Sequence, residues 1–247
     1  MNIYGMTDKG MMRKNNEDSF FLTLGAVGVF DSLMVVCDGM GGHRLGEVAS
    51  SAAVHAVVNS IESEPDMNPA YVMEQAVSIA NLEVRKSSEE HRSFGMGTTL
   101  VACGIQGKTA YVANVGDSRL YLINQNEQSI LQVTHDHSYV EEQVARGLLE
   151  RGSDEYNRKK NVITRAVGVY SEVEADQFEI DLAEGDYILL CSDGLTNMVG
   201  DEEIREIVLD ESRTVEERVR ALVDAANGYG GSDNITVVLY DTEEVFE

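Results

Sequence analysis

The chain has no tryptophan, two prolines and three cysteines among its 247 residues, and each shortage closes off a class of architecture. Pro65 and Pro69 flank one short break between two helical patterns, so there is no proline-rich linker and no polyproline recognition segment. Cys37, Cys103 and Cys191 are odd in number, lie inside apolar runs and lack metal-ligand spacing. That excludes a disulfide framework and a zinc cage, and it favours a reducing compartment, the cytoplasm. No apolar run reaches the ~18 residues of a membrane-spanning helix, and the start, MNIYGMTDKGMMRKNN, has no signal-peptide core. The expectation is a soluble protein that does not associate with membranes. Basic residues are scarce as well: 19 Lys and Arg stand against 43 Asp and Glu, a net charge of -24. A surface of that sign repels nucleic acid and anionic lipid at long range.

With 43% hydrophobic residues, the chain can bury a sizeable core. No internal repeat and no interdomain linker is visible, so residues 1–247 are read as a single domain. Strand-like segments fall at about 1–7, 18–24 and 32–37, followed by two amphipathic helices that fill most of 44–87. In the first, Ala49, Ala52, Ala53, Ala56, Val57 and Ile61 recur at helical spacing, and in the second Val72, Ala76, Ile79 and Ala80. A β-rich block follows, with TTLVACGI, KTAYVANV, SRLYLI and SILQVT joined by Gly, Asn or Asp turns, as in an antiparallel meander. Residues 138–146 read as a helix, and 145–165 as a polar, basic, mobile excursion resembling a flap. The strand DYILLCS, two helical patterns and the strand NITVVLY close the chain. Helices and antiparallel strands in separate blocks predict an α+β fold, not a doubly wound parallel sheet.

Four aspartates adjoin both an apolar strand and a glycine: Asp38 in VVCDGMGG, Asp117 in VANVGDSR, Asp193 in LLCSDGLT and Asp233 in GGSDNITVV. Asp-Gly is a favoured turn pair, so any one of them could simply end a strand. Four together, with the acidic pair of RKNNEDSF, point elsewhere. If the strand ends converge, several negative charges share one site, which requires protonation or a multivalent cation. Carboxylates without a Cys or His cluster suit magnesium or manganese rather than zinc, and no EF-hand spacing is present. A pair of such ions would clamp a phosphoryl group and make hydroxide available near neutral pH. Arg13, four residues before Glu17, is the candidate for gripping the phosphate through its guanidinium.

In order, RKNNEDSF, VVCDGMGGHRLGEVAS, FGMGTTL, VANVGDSRLYL, DHS, NVITRAVG, LLCSDGLTNMV and GGSDNITVVL resemble the motifs of metal-dependent protein phosphatases of type 2C (PPM) in their bacterial single-domain form. The similarity spans nearly the whole chain. It implies a central sandwich of two antiparallel β-sheets flanked by helix pairs, four αββα layers, with a two-metal site at one end. It further implies hydrolysis of phosphoserine and phosphothreonine in proteins by a metal-bridging water or hydroxide. The cofactors implied are two Mn2+ or Mg2+ ions per subunit, with room for a third, weaker one. Carried onto matching positions, Asp38 bridges both metals, the Gly39 carbonyl binds one, and Asp193 and Asp233 bind the other. Glu17 and Asp18 hold metal-bound waters, Asp117 joins Asp193 at the third ion, and Arg13 binds phosphate. In the eukaryotic pattern a histidine stands two residues after the bridging aspartate. Here that position is Met40, and His43 is open to two readings, a general acid or a structural residue opening the helix. The expected partners are phosphorylated proteins and a cognate Ser/Thr protein kinase, and a monomer is expected. Arg158, Lys159 and Lys160 form a rare basic cluster, a candidate docking site for phosphoprotein.

Rival readings fare less well. ACGIQGKT fits a loosened phosphate loop, but TAYVANVG after it alternates as a strand, whereas such a loop must open a helix. An aspartyl-phosphate route through Asp38 lacks the second acidic residue two positions on. A phosphatase-like module that binds phosphoproteins without hydrolysing them is the alternative from a different class; the full set of carboxylates weighs against it.

Overall fold

In the structure, a computed structural model, residues 2–41, 45–92 and 95–246 are described. In chain order the strands are β1 (Ile3–Asp8), β2 (Asp18–Thr23), β3 (Ser32–Met40), β4 (Gly97–Thr98), β5 (Leu100–Gln106), β6 (Thr109–Val115), β7 (Arg119–Asn124), β8 (Ser129–Gln132), β9 (Asp176–Asp181), β10 (Asp186–Cys191) and β11 (Ile235–Asp241). The helices are α1 (Leu45–Glu62), α2 (Pro69–Glu90), α3 (Tyr139–Ala145), α4 (Asp154–Lys159), α5 (Asp193–Thr196), α6 (Asp201–Val208) and α7 (Val215–Gly228). One sheet runs β1-β11-β10-β7-β8 and the other β2-β3-β5-β6-β9, with the short β4 added beside β3, and their pairings are antiparallel.

Period-two patterning explains how the layers stack. In β3, Leu33, Val35 and Cys37 face α1 and α2, where they meet Ala49, Ala53, Val57, Ala76 and Ala80. The alternate residues Met34 and Val36 face the other sheet and join Val101, Cys103, Ile188, Leu190 and Val238. On the far side, Leu189 and Cys191 of β10 and Val237 and Leu239 of β11 pack under α6 and α7 through Ile204, Val219, Leu222 and Val223. The result is the four-layer αββα arrangement. Both sheets are covered on both faces, which is why β10 and β11 read as nearly unbroken apolar runs.

Local signals set the helix ends. Asn68 caps α2, its side chain accepting from the Tyr71 amide, with Pro69 at the first position where a missing N–H does no harm. Thr214 and Glu217 form a reciprocal capping box at α7. The excursion is more structured than its polarity implied. It carries α4, and it is tied back where Thr164 N donates to the His137 carbonyl (2.8 Å) and where Arg151 and Tyr156 bond to Glu141. Strand β9 was not anticipated: DQFEID exposes Gln177, Glu179 and Asp181 at every second position, and pairing with β6 orders it.

Candidate metal centre

Asp18 opens β2, Asp38 lies near the end of β3, Asp117 sits in the turn from β6 to β7, Asp193 follows β10 as the first residue of α5, and Asp233 precedes β11. The strands are registered so that these positions share one end of the sandwich. Asp18 lies directly across from Asp38, and Cys191 lies across from both Arg119 and Val237.

Around Asp38 the backbone is fixed from two sides. Its N–H donates to Thr99 Oγ1 (2.8 Å), and its carbonyl accepts from Thr98 Oγ1 and Thr99 N, both at 2.9 Å. Thr99 Oγ1 is in turn 2.7 Å from Ser118 Oγ, beside Asp117. The glycine that follows is compulsory: a Cβ on Gly39 would lie 2.0 Å from the Gly46 carbonyl oxygen and 2.6 Å from that of Glu17. The first turn of α1 is therefore pressed against the end of β3, which only glycine on both sides allows.

Asp18 is buried, and its Oδ2 accepts from Ser192 Oγ (2.8 Å) and Thr236 Oγ1 (2.6 Å). Asp193 Oδ2 accepts from Asn197 Nδ2 at 2.9 Å. The remaining oxygens, Asp18 Oδ1 and Asp193 Oδ1, are buried without a hydrogen-bond partner. Such orphaned acceptors are rare and call for an explanation.

The carboxylates act on one another. Burial, and then the charges of Asp18, Asp193, Asp117 and Asp233, holds the Asp38 carboxyl well above its ordinary range. Asp18 is pushed up to about 7 by burial, with Asp193 and Asp233 adding to it against the two hydroxyl bonds. Burial and Asp193 push Asp117 up to about 8, and burial and Asp233 push Asp193 up to about 6. Among the described residues, no group of three or more Asp, Glu, His or Cys side chains forms a ready-made cage for an ion. The donor chemistry nonetheless fits hard divalent cations: oxygens only, two of them orphaned, in a cluster whose members resist ionising together.

Arg13 stands at the rim, its side chain half exposed, with Nη2 donating to Asp233 Oδ2 at 2.7 Å. Glu17 lies between three elements. Its N–H donates to Asn234 Oδ1 (2.8 Å), and its carbonyl accepts from Gly39 N (3.1 Å) and Ser50 Oγ (2.6 Å). His43 lies outside the described residues. The basic trio does not share a face: Lys159 bonds to Glu155 and lies over the Tyr139 ring, Lys160 lines a small cavity with Asp117 and Asp193, and Arg158 is exposed.

Residues that sequence reasoning missed lie beside those it found. Arg119 grips Asp136 through Nε (2.9 Å) and Nη2 (2.7 Å) next to Asp117, and Asn234 anchors the loop carrying Arg13 and Glu17. Ser192, Thr236, Thr98, Thr99 and Ser118 hold the aspartates. Ser118, Ser192 and Thr236 lie within three residues of a motif aspartate, in GDS, CSD and DNIT, but which aspartate each serves is not local: Thr98 and Thr99 reach Asp38, and Ser192 and Thr236 reach Asp18, from distant segments. In THDHS, His137 Nδ1 accepts from Gly116 N at 3.0 Å, and its other nitrogen faces Asp176 and Arg165.

Residues 4–235 match the family model described as Protein phosphatase 2C. The chain is 38% identical, over 96% of its length and 94% of the relative's, to "Serine/threonine phosphatase stp" of Listeria monocytogenes serotype 4b (strain F2365). The crystal structure of the Mycobacterium tuberculosis serine/threonine phosphatase PstP/Ppp superposes with a TM-score of 0.86 at 34% identity, covering 97% of each chain. A structure of the PstP catalytic domain in complex with two manganese ions gives a TM-score of 0.83 at 34% identity, covering 97% of this chain and 96% of that one.

Proposed function

The chain belongs to the protein phosphatase 2C family, and from that premise we propose that it is a metal-dependent phosphatase that removes phosphate from phosphoserine and phosphothreonine in proteins. The observation that carries this is the convergence of Asp18, Asp38, Asp117, Asp193 and Asp233 at one end of the sandwich, both sheets contributing, with Arg13 at the rim.

Asp38, the Gly39 carbonyl, Asp193 and Asp233 would hold two Mn2+ or Mg2+ ions, Glu17 and Asp18 their waters, and Asp117 with Asp193 a third, weaker ion. When bound, the ions supply Lewis acidity, neutralising the carboxylates and the phosphate and lowering the pKa of water. The protein's own groups do the positioning. The Arg13 guanidinium has N–H donors in a fork suited to two phosphate oxygens. It is held next to Asp233, so a phosphate on Arg13 is set beside the carboxylate cluster. Thr98 and Thr99 fix the backbone of Asp38, and Ser192 and Thr236 fix the side chain of Asp18, so the cluster is organised in advance. The binding-only alternative draws no support: none of the predicted carboxylates is missing.

A cognate Ser/Thr kinase, a role in signalling and a cytoplasmic setting extend the same proposal. No described helix is long and apolar enough to cross a membrane. Docking of phosphoprotein narrows from the whole basic trio to exposed Arg158, since Lys159 is engaged by Glu155 and Lys160 faces the acidic site. The test is hydrolysis of p-nitrophenyl phosphate with manganese. EDTA is expected to abolish it, and Asp38→Ala or Asp193→Ala to lower it by orders of magnitude. Inertness of the intact protein across manganese and magnesium concentrations would overturn the proposal.

A further inference from the structure

Two of the most exposed apolar side chains among the described residues, Met11 (68%) and Met12 (73%), stand immediately before Arg13. Isolated exposed apolar residues need no explanation. These two are set apart by the rigidity of their backbone and by what they adjoin.

The loop that carries them is bolted down along its length. Met11 N and Met12 N both donate to the Gly231 carbonyl, at 2.8 and 3.2 Å. Gly10 sits at φ +75, where a Cβ would be 2.1 Å from the Asp233 carbonyl oxygen. Asn234 Nδ2 donates to the carbonyls of Lys9 and Asn15, at 2.9 Å each. The exposure of the methionines is therefore imposed by a fixed backbone and is not a by-product of a loose one. In the same 231–234 segment, Ser232 Oγ contacts Met198 Sδ at 3.9 Å, so a third thioether borders it.

We infer that Met11 and Met12 form a docking step for an apolar side chain that flanks the phosphorylated residue of an extended protein substrate. The inference rests on Arg13 as the phosphate ligand and extends that assignment to substrate choice. Consecutive Cα atoms are about 3.8 Å apart in any chain, so a substrate residue one or two places from a phosphate held by Arg13 lies at the range of Met12 and Met11. The chain's net charge of -24 opposes the approach of an acidic phosphoprotein, so beside Arg13 apolar contact serves better than charge to hold the residues that flank the phosphate, whatever exposed Arg158 contributes farther off. Methionine suits that task, because its unbranched, polarisable side chain adapts to aliphatic and aromatic partners alike, which allows many substrates and excludes few.

The test uses two phosphothreonine peptides that differ only in having leucine or serine on each side of the phosphothreonine, with p-nitrophenyl phosphate as the unflanked control. For the manganese-loaded wild type, kcat/KM should be about tenfold higher for the leucine peptide, or about 1.4 kcal/mol. In Met11→Gln/Met12→Gln the preference should vanish, mainly through KM, with p-nitrophenyl phosphate unaffected, while Met11→Leu/Met12→Leu should retain it. Preference persisting in the glutamine variant, or equal losses on both peptides and the aryl phosphate, would overturn the inference. So would a wild-type dimer that the glutamine changes dissolve, since it would assign the patch to a second copy of the chain. A wild type that hydrolyses p-nitrophenyl phosphate without any flank preference refutes the docking step alone. A wild type inert towards all three refutes the phosphatase proposal and the docking step with it.

Discussion

Asn234→Ala should loosen the loop that carries Arg13 and Glu17 from the segment before β11 that carries Asp233. Asn234 is 4% exposed, accepts from Glu17 N at 2.8 Å, and donates to Lys9 O and Asn15 O at 2.9 Å each. A net ~1 kcal/mol per hydrogen bond gives about 3 kcal/mol, and orphaning wholly buried partners would give more. Lys9 is exposed, however, and Glu17 and Asn15 only half-buried, so water can replace part of what is lost. The expected destabilisation is thus about 2–3 kcal/mol, to be read from urea unfolding as a lower midpoint at unchanged slope. The two amides of Met11 and Met12 still bind Gly231, so the loop loosens without leaving. KM for p-nitrophenyl phosphate should rise more than kcat falls, because phosphate positioning suffers while the carboxylate cluster stays. Asn234→Asp keeps the acceptor for Glu17 N but sets a buried carboxylate oxygen against the carbonyls of Lys9 and Asn15 beside Asp233, so it should be at least as destabilising as alanine. A change below about 0.5 kcal/mol with KM unaltered, the size of an ordinary surface substitution, would refute the anchoring role.

Two further outcomes follow from the same geometry. Asp193, Asp18 and Asp117 have folded-state pKa values raised to about 6, 7 and 8, so the folded protein without metal binds more protons than the unfolded chain from about pH 4 upwards. Its stability should therefore fall as pH rises from about 5 to 8, and saturating manganese should flatten the trend; thermal melts in EDTA that rise over this window would contradict the electrostatics. Reversing the charge of exposed Arg158 to Glu should weaken turnover of a phosphoprotein and spare p-nitrophenyl phosphate, and equal effects on both would argue against docking there.

Much of this was legible in the residues, and the limits have physical causes. The α+β class followed from separate helix and strand blocks, but the αββα layering came with the family resemblance, because LMVVC of β3 is apolar throughout and only the structure shows its odd and even positions burying against different layers. The aspartates were found because each interrupts an apolar strand beside a glycine, a placement the core does not explain. β9 escaped notice because its exposed positions, Gln177, Glu179 and Asp181, and its first residue, Asp176, are polar, and only its pairing with β6 reveals it. The basic trio read as one cluster in sequence, yet successive helical residues point in different directions, so Lys159 and Lys160 face different neighbours. Asn234, Ser192 and Thr236 act through bonds spanning dozens to hundreds of residues, which no local pattern encodes.

Titration calorimetry of the metal-stripped protein with manganese chloride puts the assignment of the acidic cluster to its most direct test. The intact chain should take up at least two ions, the number held by the PstP catalytic domain, and Asp38→Asn should abolish the tightest class of site. No uptake by the intact chain, or an isotherm that Asp38→Asn leaves unchanged, would contradict a metal centre built on Asp38.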